Sequence, residues 1–73
     1  MRTALVVDDH PSFRASARAV LEAAGFDVLG EAESGADALA AIGRLDPDVV
    51  LLDVQLPDMT GFDVCAALET EDE

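Results

Sequence analysis

The sequence predicts an α/β protein in which helices cover both faces of a parallel β-sheet. Two apolar runs, residues 4–7 and 49–52, the second ending at Asp53, are continuous instead of alternating, as in strands that are buried on both faces of such a sheet. Apolar residues elsewhere recur with helical spacing, and the connections between segments are short. The resulting order, β-α-β-α-β-α, implies parallel strands joined by right-handed crossovers.

A first helix is predicted over residues 11–24, directly after the first strand. Pro11 suits the first helical position, and Gly25 follows where a left-handed cap commonly ends a helix. Arg14 and Arg18 fall outside the expected apolar face. That face is predicted to contain Phe13, Ala17, Val20, Leu21 and Ala24.

The middle of the chain predicts a short edge strand and a second helix. Val28 and Leu29 form a brief apolar patch among polar residues, which favours a strand near the edge of the sheet. Ser34 can cap the next helix. Its shared apolar face is predicted to contain Ala38, Leu39, Ile42 and Leu45, ending before Asp46 and Pro47.

A third helix is predicted after the strand at residues 49–53. Thr60 and Asp63 have the spacing of a capping box. Phe62, Cys65 and Leu68 are predicted to form its apolar face, with Cys65 as a small buried thiol and both Phe13 and Phe62 in the core. Residues 69–73 are rich in acids at the negative end of the helix dipole, and this end is expected to fray.

Composition limits the classes of function. The 73 residues suffice for one small domain, in which folding buries about 60% of the surface exposed by the unfolded chain. The net charge of −12 repels nucleic-acid phosphates, so no direct nucleic-acid binding is expected. No stretch approaches the roughly 20 apolar residues of a membrane span, and we expect a cytoplasmic protein without membrane contact. One cysteine cannot form an internal disulfide.

Three acids follow the predicted buried strands. Asp8 and Asp9 come after the first, and Asp53 ends the third. If these strands are neighbours, the three carboxylates meet at the carboxyl edge of the sheet, where they must share a proton or hold a divalent cation. Mg²⁺ fits, because it prefers oxygen ligands and leaves room for a phosphate oxygen. The pattern predicts phosphoryl transfer, with Asp53 as nucleophile and Asp8 and Asp9 as metal ligands.

Residues 5–10 (Leu-Val-Val-Asp-Asp-His) and 51–62 (Leu-Leu-Asp-Val-Gln-Leu-Pro-Asp-Met-Thr-Gly-Phe) closely resemble the receiver domain of two-component response regulators, in the branch with a helix-turn-helix output domain. The resemblance covers the whole chain. It implies a flavodoxin-like fold with strand order 2-1-3-4-5. It also implies that Asp53 is the phosphoacceptor and that Asp8, Asp9, Asp53 and the backbone carbonyl of Gln55 hold Mg²⁺.

The resemblance further implies partners and a mode of action. A histidine kinase would donate the phosphoryl group from its phosphohistidine, and the receiver would switch an output domain, and through it transcription, by way of a C-terminal region outside these residues. Such a receiver is an acceptor of phosphate and not a classical enzyme.

Residues 1–73 would then be the N-terminal portion of a receiver, without its last two strands and helices. In the family those strands supply a hydroxyl and a lysine that contact the phosphoryl group, and this sequence contains no lysine. We therefore expect a fragment, or the ordered part, of a longer regulator, and a sheet that is completed intermolecularly, for instance in a dimer. Metal affinity is expected to survive better than phosphorylation.

Other functions remain open at this point. The chain could be a receiver-like interaction fragment that is never phosphorylated. It could also belong to a phosphatase of the haloacid dehalogenase kind, although those enzymes place a second Asp where Gln55 stands here. A calcium loop is disfavoured, since the residues after Asp53 lack the required ligand spacing. His10 is interpreted as a loop or N-cap residue and Asp58 as a turn residue after Pro57.

Overall fold

The structure is a computed structural model that describes residues 1–71, with side chains described as far as Glu69. It confirms the α/β class and the predicted order of six elements. These are β1 (Thr3–Val7), α1 (Pro11–Ala23), β2 (Asp27–Ala32), α2 (Gly35–Leu45), β3 (Val49–Leu52) and α3 (Gly61–Glu71). No helix within the described residues is long and apolar enough to cross a membrane.

The sheet has the order β2-β1-β3, and both pairs are parallel. The expectation that the first and third strands are adjacent is thus confirmed, and so is the edge position of β2. β2 is longer than the Val28–Leu29 patch, because Gly30 and Glu31 also pair with β1 through their backbones. Backbone pairing needs no apolar side chain, so the apolar pattern understates the length of an edge strand.

Apolar layers on the two faces of the sheet hold the helices. On one face, α1 packs through Ala17 and Leu21 against Val6 and Val28. On the other face, α2 buries a larger cluster, and α3 packs beside α2. Helices therefore cover both faces, as predicted. The cluster under α2 contains Leu5, Val7, Ala32, Ala38 and Ala41, with Ile42, Leu45, Val50, Leu52 and Leu56 packed against it.

The predicted face of α1 is wrong in part. Ala17 is buried and Leu21 is half-buried, but Phe13 and Val20 are 50% and 69% exposed. Ala24 follows the last helical residue, and Gly25 has the predicted left-handed conformation, with φ of 94°. The helix is therefore rotated about its axis relative to the pattern of large apolar side chains.

Two arginines lie on the side of α1 that faces β2. Arg14 Nε lies 3.0 Å from Glu31 Oε1, and Arg18 Nη1 lies 2.8 Å from Glu31 Oε2. Both arginines were expected to fall outside the packed face. Both side chains instead reach β2, where Arg18 Nη2 also donates to the Val28 carbonyl at 3.2 Å.

α2 has the predicted cap and end, but its packed face includes Ala41 in place of the predicted Leu39. The Ser34 side chain accepts a hydrogen bond from the Asp37 backbone N–H at 3.1 Å, which satisfies one of the free amides of the first turn. Ala38 and Ala41 are buried on its inner face. Asp46 ends the helix in a left-handed conformation with φ of 48°.

α3 begins with the predicted capping box but buries a different face. The Thr60 N–H donates to Asp63 Oδ2 at 3.0 Å, and the Asp63 N–H donates to Thr60 Oγ1 at 3.1 Å. Phe62 is 72% exposed and Cys65 is exposed, so the predictions of a core phenylalanine and a buried thiol are wrong. Val64 is fully buried in their place.

The reason is the close approach of Gly61 to the preceding loop. Its N–H donates to the Val54 carbonyl at 2.7 Å, and a Cβ at Gly61 would lie 2.5 Å from the backbone oxygen of Asp53. This contact holds the first turn of α3 against the loop, and Val64 is the residue of that turn whose side chain is fully buried. The predicted fraying of the acidic end includes residues 72 and 73, which lie outside the described residues.

Candidate metal centre

Backbone hydrogen bonds fix the acids at the carboxyl edge of the sheet. The Asp8 N–H donates to the Ala32 carbonyl, and the Asp53 N–H donates to the Val7 carbonyl, each at 3.0 Å. Both bonds continue the strand pairing one residue past the strands themselves. β3 ends at Leu52, one residue earlier than predicted, and Asp53 is the first residue of the loop that follows.

The structure brings the three predicted acids together. Ligand atoms of Asp8, Asp9, Asp53 and His10 all lie within 4.8 Å of one another. Asp8 is only 6% exposed, Asp53 is half-buried, and Asp9 is exposed. Carboxylate oxygens are the ligands that hard divalent cations such as Mg²⁺ prefer, so this donor set fits such a cation.

Asp8 keeps its negative charge despite its burial. Burial raises the pKa of its carboxyl group, but hydrogen bonds from His10 and the charges of His10 and Arg14 lower it, and the net pKa lies below the ordinary value. The His10 N–H donates to Asp8 Oδ1 at 2.8 Å, and Arg14 Nη1 donates to the Asp8 carbonyl at 2.7 Å. Asp8 is therefore available as an anionic ligand at neutral pH.

His10 precedes α1 in the N-cap position, with extended backbone and no side-chain capping bond, which confirms its predicted place in the chain. Its ring was not expected at the acids. Nδ1 lies 2.9 Å from Asp8 Oδ1 and 3.0 Å from Asp9 Oδ1. The hydrogen bond with Asp8 and the charge of Asp9 raise the pKa of His10. His10 directly follows Asp8 and Asp9 in the sequence, and this position was the feature from which the contact could have been predicted.

Gln55 borders the same site. An open cavity of about 410 Å³ has a rim that includes Asp9, His10, Asp53 and Gln55, with Val54, Leu56 and Pro57 completing its lining. Gln55 pairs with Thr60 in an isolated antiparallel bridge, which closes the loop between β3 and α3. The cavity gives a molecule from solvent access to Asp53.

Asp58 has a role that the sequence did not reveal. It lies in the loop, as predicted, but its Oδ1 accepts from the Gly35 N–H at 2.7 Å and its Oδ2 accepts from the Ala36 N–H at 2.9 Å. These bonds lower the pKa of Asp58 and attach the loop to the N-terminus of α2. The partners are more than 20 residues apart along the chain, so no local pattern indicates the contact.

Residues 4–73 match the sequence profile of the response regulator receiver domain, and the chain belongs to that family. It is 48% identical over 69 residues to the DNA-binding response regulator MtrA of Mycolicibacterium smegmatis, covering 92% of this chain and 29% of MtrA. It is 44% identical over 71 residues to a protein-glutamate methylesterase/protein-glutamine glutaminase of Halobacterium salinarum, covering 97% of this chain and 20% of that protein.

Solved receivers have the same fold. A LuxR-family response regulator of Aurantimonas superposes with a TM-score of 0.90 at 30% identity, over 96% of this chain and 51% of the other. TrrA of Thermotoga maritima superposes with a TM-score of 0.90 at 31% identity, over 97% of this chain and 61% of the other. The chain thus spans less than a third of these two curated relatives and a little more than half of the solved chains. The receiver-like fold prediction is confirmed.

Proposed function

We propose that this chain accepts a phosphoryl group on Asp53 from the phosphohistidine of a histidine kinase. The observation that carries the proposal is the cluster at the carboxyl edge of the sheet, where Asp53 lies with Asp8 and Asp9 within 4.8 Å. The open cavity beside Asp53 allows approach from solvent. The resulting acyl phosphate switches an output domain, and the likeness to a DNA-binding response regulator supports transcription as the regulated process.

The same residues would hold Mg²⁺. Asp8, Asp9, Asp53 and the backbone carbonyl of Gln55 supply oxygen ligands, and the exposed side of the site leaves room for water and phosphate oxygens. Bound Mg²⁺ supplies positive charge that offsets the charge of the transferring group. TrrA, one of the structural relatives, is known in complex with Mg²⁺ and beryllium fluoride, which supports this choice of cation.

In the transfer step a carboxylate oxygen of Asp53 attacks the phosphorus atom. The new O–P bond forms as the P–N bond of the phosphohistidine breaks, and the leaving imidazole nitrogen keeps the electron pair and takes a proton. Asp8 and Asp9 would hold the cation whose charge offsets that of the transferring group. The chain is the acceptor in this step and undergoes no catalytic turnover of its own.

We also propose that residues 1–73 correspond to the N-terminal portion of a receiver. The solved receivers extend well beyond the region that matches this chain, which supports the proposal. The histidine kinase and the output domain are the partners that this assignment implies.

Labelling of Asp53 tests the proposed function. The chain is incubated with acetyl phosphate, or with beryllium and fluoride, in Mg²⁺ and in EDTA, and the intact mass or the ¹⁹F spectrum is recorded. We expect labelling that requires Mg²⁺ and that Asp53→Asn abolishes. Asp27→Asn, at the opposite end of the sheet, is the matched control and should label normally.

Labelling that persists in Asp53→Asn would refute the assignment of the phosphoacceptor. An unreactive 73-residue chain, beside a reactive longer receiver that contains it, would instead favour an unphosphorylated interaction fragment for these residues.

A further inference from the structure

We propose that His10 is a further protein ligand of the cation, through Nδ1, and that it biases the site toward divalent cations that accept nitrogen, such as Ni²⁺ and Zn²⁺. The inference rests on the metal site proposed above and adds a residue to its oxygen ligands. The observation behind it is the position of the ring, which lies against two of the three acids.

The backbone holds this ring in place. His10 has an extended conformation, with φ of −99° and ψ of 112°, to which the following Pro11 restricts it. Its N–H is bonded to Asp8 Oδ1 at 2.8 Å. With both the backbone and the N–H fixed, the imidazole is already oriented over Asp8 and Asp9 before a cation arrives, so little conformational freedom is lost on binding.

The distances match one corner of a coordination shell. Metal bonds of about 2.1 Å at right angles place neighbouring ligand atoms about 3.0 Å apart. Nδ1 lies 2.9 Å from Asp8 Oδ1 and 3.0 Å from Asp9 Oδ1. Asp53 offers a further oxygen within 4.8 Å of these atoms, so a small contraction would bring these four side chains within reach of one cation.

Binding of a cation to Nδ1 is compatible with a neutral imidazole ring. Carboxylates only accept hydrogen bonds, so Nδ1 carries the proton when no cation is bound. A cation between the ring and the acids takes the place of this proton, and the neutral ring then carries its hydrogen on Nε2. The His10 side chain is 71% exposed, so water can accept that hydrogen bond.

The predicted selectivity follows from ligand chemistry. Imidazole nitrogen is a good ligand for Ni²⁺ and Zn²⁺, whereas Mg²⁺ prefers oxygen and keeps several waters. His10 should therefore strengthen binding of the first class and contribute little to binding of Mg²⁺.

Calorimetric titration with Ni²⁺ and with Mg²⁺, at about pH 8 to limit competition between protons and the cation, tests this inference. The background variant is Cys65→Ser, which removes an exposed thiol that would bind Ni²⁺. Adding His10→Asn should lower Ni²⁺ affinity about tenfold or more and change Mg²⁺ affinity less than about twofold. Asn is a favoured N-cap residue, so this variant should fold.

The spectrum of the ring gives a second readout. His10 is the single histidine of the chain, so its ring protons can be assigned without ambiguity, and saturating Ni²⁺ should shift them strongly. Unshifted ring protons, an unchanged Ni²⁺ affinity, or an equal loss of both affinities in His10→Asn would overturn the inference.

Asp8→Asn separates this inference from the proposed function. If this variant leaves both affinities unchanged, the metal site itself fails and both proposals fall. If it lowers both affinities while His10→Asn changes neither, only the role of His10 fails. No phosphoryl donor is present, so the result is independent of whether the chain can be phosphorylated.

Discussion

Asp58 joins two parts of the chain that the sequence keeps apart. Its two carboxylate oxygens accept hydrogen bonds from consecutive backbone amides, those of Gly35 and Ala36, at the start of α2. Amides of a first helical turn have no partner inside the helix, and an anion is favourable there. Because Gln55 and Asp53 lie on the same loop, this contact also helps to hold the candidate site.

The pH dependence of stability should reveal this contact. Hydrogen bonds from the Gly35 and Ala36 amides lower the pKa of Asp58, so the folded chain binds a proton less readily than the unfolded chain. The contribution is therefore present above the ordinary Asp pKa of about 3.9 and is lost as the pH falls through the lower folded value. Asp58→Asn should lower the Tm at neutral pH, and the difference from the wild type should shrink below about pH 4.

Circular dichroism melts over a pH series measure this difference. Asp27→Asn is the control, since the Asp27 carboxylate accepts no hydrogen bond within the described part of the chain. A Tm difference for Asp58→Asn that stays constant into acid would contradict the assigned role.

Gly61 is the second single residue on which the site depends. A Cβ at this position would lie 2.5 Å from the Asp53 backbone oxygen, and backbone atoms cannot move as a flexible side chain can. Gly61→Ala should lower the free energy of unfolding by about 1–3 kcal/mol and weaken metal binding, because Asp53 is displaced. Gly43→Ala, where nothing lies within 4 Å, should instead stabilise α2 by about 0.5–1 kcal/mol.

Urea denaturation and metal titration of both glycine variants provide the measurement. Equal stability of Gly61→Ala and the wild type would show that the loop can adapt to the added methyl group.

Helix boundaries and helix faces differ in how far the sequence predicts them. The caps at Ser34 and at Thr60 with Asp63 were correctly predicted, because their partners lie three residues away. The observed rotation of α1 brings Arg14 and Arg18 to Glu31, which lies 17 and 13 residues away along the chain. Hydrophobic spacing alone therefore placed Phe13 and Phe62 inside, although the tertiary contacts turn both outward.

The corrected face of α3 makes a prediction about stability. Val64 is fully buried, whereas Phe62 is 72% exposed. Val64→Ala should cost about 2 kcal/mol in free energy of unfolding, and Phe62→Ala should change it by about 0.5 kcal/mol or less. Chemical denaturation of the two variants checks the order. A larger loss for Phe62→Ala would mean that the sequence had identified the correct face.

The charge of the entire chain opposes its compact state. With a net charge of −12, repulsion among carboxylates should dominate over the few ion pairs of Arg14 and Arg18. Raising NaCl from about 0.02 M to about 0.2 M shortens the Debye length to below 10 Å and should raise the Tm. Thermal melts in EDTA measure this without divalent cations. A Tm that falls with salt would show that the ion pairs matter more than the net repulsion.

The outer edge of β3 bears on the association of the chain. No strand within residues 1–71 pairs with that edge, and Leu51 on β3 is 40% exposed. An apolar groove of about 470 Å³ lies beside it, with Val54 and Phe62 in its lining. We therefore still predict that the outer edge of β3 pairs with a strand of another molecule.

Size-exclusion chromatography with light scattering tests the association. We expect it to increase with concentration and with salt, which screens the repulsion between chains, and to weaken in Leu51→Glu. A monodisperse species of 7.6 kDa with a cooperative melt at all concentrations would contradict the prediction.

Local sequence was sufficient to predict the order of the elements, the caps at Ser34 and Thr60, and the delivery of Asp8, Asp9 and Asp53 to one edge of the sheet. These features depend on local spacing and on where parallel strands end, and both can be read along the chain. The tertiary structure alone decided which helix faces are buried, the attachment of Asp58 to α2 and the place of the His10 ring. These features depend on the relative free energies of contacts in three dimensions. Many of those contacts join residues distant in sequence, so a local sequence pattern does not show them.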